Sequence, residues 1–110
     1  MFPPLARPPR LEYPGAVYHV IARGNNRQAI FADDRDHTIY LEKLGHYCTE
    51  KEVNLLGYCL LSNHLNLLLE TPQGNLSKLM QLLQTSYTLS FNWRHRQSGH
   101  VFEQRYKAPF

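Results

Sequence analysis

Three features of this sequence predict an α+β fold, an antiparallel sheet with helices packed on it. The apolar pattern alternates between strand-like and helix-like periods in the order β-α-β-β-α-β. Two neighbouring apolar runs are parted by a two-residue polar break, as in a hairpin. The chain has 110 residues, enough for one hydrophobic core and not for two. This element order is the ferredoxin-like split βαβ arrangement, and residues 1–110 are expected to form a single domain.

Each element has its own signal. Met1 to Pro14 holds most of the prolines and should be extended. Ala16 to Ala22 is β-branched and aromatic, a strand. Arg23-Gly-Asn-Asn-Arg27 is a turn carrying two cations. Asp33 or Asp34 can cap a helix in which Ile39, Tyr40, Leu44 and Tyr47 recur at helical spacing, to about Glu50. Asn54 to Leu61 and His64 to Glu70 are the apolar runs, with Ser62-Asn63 between them. Their nearly unbroken hydrophobicity suggests central strands covered on both faces. After a loop from Thr71 to Asn75, Leu76, Leu79, Met80, Leu83, Tyr87 and Phe91 mark a long helix with Asn75 as its expected N-cap. Gln97 to His100 ends the pattern, and Val101 to Lys107 is expected to be the last strand.

Composition narrows the function classes. The chain is 43% hydrophobic and 19% charged, as in ordinary globular proteins. No apolar run approaches the roughly 20 residues of a membrane helix, and the N-terminus lacks a secretory h-region. A cytoplasmic location without a membrane partner is therefore expected. Cys48 and Cys59 make neither a disulfide framework nor a zinc site and read as reduced thiols. The formal net charge of +3 is compatible with a nucleic-acid partner. Arg7, Arg10, Arg23, Arg27, Arg94, Arg96 and Arg105 lie near the ends and in loops, outside the apolar middle. Asp33, Asp34 and Asp36 form an acidic cluster that helix capping and the helix dipole explain without a metal. Tyr87 shares its helical spacing with Leu83 and Phe91, which argues for packing rather than catalysis.

Five stretches occur together in order: Arg10-Leu-Glu-Tyr-Pro-Gly-Ala-Val-Tyr-His19, Ala22-Arg-Gly-Asn-Asn-Arg-Gln28, Tyr58-Cys-Leu-Leu-Ser-Asn-His64, Leu67-Leu-Leu-Glu-Thr-Pro72, and Ser98-Gly-His-Val-Phe102 with Arg105-Tyr-Lys107. In these the chain resembles the single-tyrosine HUH transposases, the REP-associated ones above all, from Arg7 to Ala108. The resemblance implies single-strand DNA cleavage and rejoining through a phosphotyrosine intermediate. The implied partners are DNA, as a hairpin beside a single strand, and a second copy of the chain. The implied cofactor is a divalent cation, Mg²⁺ or Mn²⁺, held by two histidines spaced His-hydrophobic-His. Side chains at i and i+2 of a strand share a face, so two imidazoles there can share one ion. The metal would polarise the phosphate for attack by a tyrosine, a poor nucleophile at its ordinary pKa of about 10.

Two departures weaken the enzymatic expectation. The first family histidine matches His64 and the second matches Asn66, which is neutral and offers only a carbonyl oxygen. The family's tyrosine-bearing helix follows the Arg-Tyr-Lys stretch, and the sequence given stops at Phe110. The expectation is thus a transposase-type domain with weak or absent metal binding, His64 and Asn66 being the candidate ligands, and no catalytic residue assigned. Arg23, Asn25, Asn26, Arg27 and Arg105 are the candidate DNA contacts, and Arg94, His95 and Arg96 with Arg105 form a further basic patch. His19 could face the same site as His64, although a lone strand histidine is more often structural. Two other classes remain, a non-catalytic nucleic-acid-binding module and a dimerisation module. An RNA-binding ferredoxin-like domain would stack bases on exposed sheet aromatics, which strands covered on both faces would not present.

Overall fold

A computed structural model describes residues 13–108. The proline-rich segment expected to be extended lies almost wholly outside the described residues, as do Arg7 and Arg10. Strand β1 spans Ala16–Arg23, helix α1 Asp34–Glu50, strand β2 Asn54–Leu60, strand β3 His64–Thr71 and helix α2 Leu76–His95. The sheet has the order β1-β3-β2, with both pairings antiparallel. The expected α+β class with its antiparallel sheet is what the chain forms.

The helices start and stop for local reasons. The Asp33 carboxylate accepts the Asp36 backbone N–H at 2.9 Å, and Asp34 and Asp36 sit in the first turn of α1, where the dipole favours negative charge. Asn75 stands at the N-cap of α2 without capping it: its amide donates to the Lys51 carbonyl at 2.9 Å and ties the helix start to the end of α1. Arg96, left-handed at φ 52°, terminates α2. The buried stripe of α2 is the predicted one, Leu76, Leu79, Met80, Leu83, Tyr87 and Phe91.

Both helices lie over one face of the sheet. The register sets Tyr18 against Leu69, Val20 against Leu67 and Ala22 against Leu65, and all six are buried with the α2 stripe and with Tyr40 and Leu44 of α1. The alternate residues point away from the helices, so the expectation of strands covered on both faces is corrected. β3 is buried only at every second position, and Leu68 and Val17 are about two-fifths exposed at 41% and 43%. A leucine run cannot reveal which of its members lacks a covering layer, and among the described residues two helices supply one layer only. β2 is an edge strand with Leu55, Leu56 and Tyr58 exposed and a bulge between Leu55 and Gly57.

The expected last strand at Val101 to Lys107 is not a continuous strand. Two isolated bridges join it to β1 and the residue that follows, Ile21 to Lys107 and Gly24 to Phe102. Three steps along β1 therefore face five along this segment, and the surplus residues bow outward and break the ladder. Among the described residues, no helix is long and apolar enough to cross a membrane.

Candidate nucleic-acid interface

The β2–β3 hairpin and the turn after β1 meet at one end of the sheet. Gly24 donates to the Asn63 carbonyl at 2.8 Å, and Ile30 donates to that of Ser62 at 2.7 Å. Gly24 has no room for a side chain, since a Cβ there would stand 2.0 Å from the Gln28 carbonyl oxygen. A 3₁₀ turn at Asn25–Arg27 follows, with Asn26 and Arg27 left-handed at φ 53° and 59°. Arg23 is paired in register with His64. The result is a pocket of about 530 Å³ lined by Arg23, Arg27, Asn63, His64, Glu103 and Lys107.

The charge of this pocket is available to a ligand. Among the described residues, Arg23, Arg27 and Lys107 have no ion-pair partner. His64 is half-buried, and its Nδ1 donates to the Asn63 side-chain oxygen at 3.0 Å. That bond fixes the tautomer and leaves Nε2 with its lone pair, the arrangement typical of a ligating or proton-accepting imidazole.

Asn66 lies on the same open face, one strand repeat beyond His64. Its side-chain oxygen accepts a hydrogen bond from His19 Nε2 at 2.9 Å. His19 thus faces the same side as His64, and it occupies the atom Asn66 would offer a cation. One free imidazole nitrogen and one engaged amide oxygen do not fit the two-imidazole site implied by the family pattern. A different group, Asp33, Asp36 and His95, brings its ligand atoms within 4.8 Å of one another, close enough for a metal. Arg94 sits in that cluster: it donates to Asp33 at 3.2 Å and to the buried Asp36, which also takes His95 Nε2 at 2.9 Å and the Ala32 N–H at 2.8 Å. The Arg94 hydrogen bond, helped by the Asp36 backbone N–H, holds the Asp33 carboxyl below its usual value. The group is a clamp between the start of α1 and the end of α2, and it removes Arg94 and His95 from the expected basic patch.

The other expected site residues are dispersed. Asn25 and Asn26 shape the turn: the Asn25 N–H donates to the Val101 carbonyl at 2.8 Å, and its own carbonyl accepts Gln28. Arg105 lines a separate groove beside α2 with Gln81, Gln84 and Tyr106. Lys107, which was not among the candidate DNA contacts, lies beside His64, while the bow of 103–106 sends Arg105 to a different cavity. The pairing of Lys107 with Ile21 was the missing signal, and sequence spacing does not carry it. Tyr87 is buried, and its hydroxyl donates to the Ile30 carbonyl. Burial, reinforced by the Asp36 carboxylate, pushes its pKa far above the ordinary phenol value, so it is no nucleophile.

A family profile described as "Transposase IS200 like" matches residues 13–109, nearly the whole chain. The chain belongs to the IS200-like transposase family. Its fold is similar to that of a REP-associated tyrosine transposase solved bound to a REP hairpin, with a TM-score of 0.78 at 9% identity. That match covers 96% of this chain and 61% of the other, so the chain spans about three-fifths of that transposase. It is also similar to a candidate transposase from Deinococcus radiodurans R1, with a TM-score of 0.70 at 16% identity over 96% of this chain and 85% of the other. No curated protein matches the sequence. At these identities the structural likeness speaks for the fold; the family rests on the profile match.

Proposed function

We propose that this domain is a DNA-binding transposase module whose pocket at His64 grips a backbone phosphate, and that residues 13–108 do not cleave DNA by themselves. The pocket carries the proposal: three cations without ion-pair partners surround one imidazole with a free nitrogen. Arg and Lys placed this way neutralise phosphates and release counterions. Arg23 and Arg27 supply two of these contacts, Lys107 the third, and Arg105 a contact in the neighbouring groove. Asn25 and Asn26 act by holding the turn. The ligand is DNA as a hairpin with a flanking single strand, in keeping with the REP hairpin in the related structure.

Cleavage is impaired at two points on this reading. Asn66 leaves the cation with one imidazole and weak or no affinity. Tyr18, Tyr40 and Tyr87 are fully buried, and although Tyr13 and Tyr58 are exposed, no tyrosine among the described residues lines the pocket at His64, where it could attack a bound phosphate. Incubation with labelled single-stranded DNA and Mn²⁺ tests this. The expected result is binding without a covalent protein–DNA band, and such a band would refute it.

A homodimer in the cytoplasm is the second part of the proposal. Val17, Leu56, Tyr58, Leu61 and Leu68 are exposed along the open sheet face and the β2 edge, a patch that a second copy would cover. Sedimentation as a strict monomer at tens of micromolar would remove it. An RNA-type sheet platform is disfavoured for a reason other than burial: among the described residues the open face of β1 and β3 presents Val17, His19, Ile21, His64, Asn66 and Leu68 and no aromatic ring, while the exposed Tyr58 is paired with Leu67 of the other face, on the β2 edge.

A further inference from the structure

The outward bow of residues 103–106 leaves a groove between itself and α2. It consists of two adjoining cavities of about 320 and 300 Å³, which share Gln84, Thr85, Phe102, Glu103 and Gln104. Met80, Leu89 and Phe102 make it apolar, while the amides and the hydroxyl give it a hydrogen-bonding rim. This is the character of a site for a flat, polar-edged ring. Glu103 also lines the basic pocket at His64, so groove and pocket adjoin across one residue.

Two rim groups have defined roles. The Tyr40 hydroxyl donates to Gln84 Oε1 at 3.0 Å, which occupies the amide oxygen and leaves the amide nitrogen, a donor, for the groove. Glu103 is anchored by its backbone N–H on the Arg23 carbonyl at 2.8 Å, and among the described residues its carboxylate has no ion-pair partner. Where the two cavities join, the groove therefore offers the Gln84 amide as a donor and the Glu103 carboxylate as a two-oxygen acceptor, with Arg105 and Gln81 in the first cavity only.

We propose that this groove takes one unpaired guanine base, selected by Gln84 and Glu103, while the adjoining basic pocket takes a phosphate of the same strand; the proposal rests on the DNA-binding reading above. Guanine is the DNA base whose Watson–Crick edge sets two neighbouring N–H donors beside a carbonyl acceptor. A carboxylate can take both donors, and an amide N–H can serve the carbonyl. Adenine and cytosine present one donor group there, and thymine presents one between two oxygens that a carboxylate would repel. Arg23, Arg27 and Lys107, gathered in the basic pocket beyond Glu103, draw a phosphate to that side, which sets the orientation of the strand.

Fluorescence anisotropy with labelled twelve-nucleotide oligomers tests this. The probes are all-thymine, or thymine with one central guanine, inosine, adenine or cytosine. The guanine probe is expected to bind about tenfold more tightly than all-thymine, the lower range for a good two-bond base contact. Inosine, which lacks the 2-amino donor, should lose most of that gain. Glu103→Gln and Glu103→Ala should abolish the preference while binding all-thymine slightly more tightly, since a repelling charge is gone. A wild-type protein that binds every oligomer alike, or variants that keep the guanine preference, would overturn the groove proposal alone. Failure to bind any oligomer would overturn it together with the DNA-binding reading.

Discussion

Replacing Asn66 with histidine puts a second imidazole on the face that already carries His64. The two positions are i and i+2 on β3, so their side chains emerge on one side. In the natural chain a cation must compete with His19 for the Asn66 oxygen, a bond of 2.9 Å. A hydrogen bond of this kind contributes about 1 kcal/mol net, a factor of about five in affinity. His19→Ala should therefore tighten Mn²⁺ binding about fivefold by freeing that oxygen. Asn66→His goes further, because it adds a ligand nitrogen where there was none. Loss of an outer-shell partner alone costs about 10–100-fold in metal affinity, so a directly ligating imidazole should gain about 100-fold. Isothermal calorimetry with Mn²⁺ at pH 7.5 measures both variants. Neither variant should cleave single-stranded DNA, because no nucleophile is restored. An unchanged Mn²⁺ affinity in Asn66→His would refute the shared-face placement, and cleavage by it would refute the account of the nucleophile.

Further outcomes follow from buried groups and a tight turn. Tyr87→Phe leaves the Ile30 carbonyl without its partner and should destabilise the fold by about 1–3 kcal/mol in urea unfolding, with DNA affinity intact. Burial pushes the Cys48 thiol up to about 11, while Cys59 is exposed, so Ellman's reagent at pH 8 should titrate one fast thiol and Cys59→Ser should remove it. Gly24→Ala sets a methyl 2.0 Å from the Gln28 carbonyl oxygen. It should cost about 1–3 kcal/mol in thermal or urea unfolding and weaken DNA binding by displacing Arg27.

The parts of the fold legible in the sequence are those with a local cause. The stripe from Leu76 to Phe91, the Asp33 cap and the polar break at Ser62-Asn63 each act over a few residues, and each is present as expected. What escaped the sequence depends on pairings between distant segments. Leu68 is as hydrophobic as Leu67, and only the absence of a second layer among the described residues leaves it at 41% exposure. The break in the last strand comes from a mismatch in step with β1 that periodicity within 101–107 does not contain. The same mismatch brings Lys107 into the pocket and leaves Arg105, a candidate DNA contact, in the neighbouring groove. Arg94 and His95 read as free basic residues until the start of α1, some sixty positions earlier, is laid against them. Asn66 was visible as a departure at once, whereas the capture of its oxygen by His19 needed the strand pairing.

The central claim is that Arg23, Arg27 and Lys107 bind DNA phosphates around His64. The salt dependence of affinity for a hairpin with a single-stranded flank measures it most directly, in the natural chain and in the triple variant Arg23→Ala/Arg27→Ala/Lys107→Ala. Each single-strand phosphate contact contributes about 0.7 to the slope of log affinity against log salt, so the triple variant should have a slope shallower by about two. A triple variant with the slope and affinity of the natural chain would contradict the account.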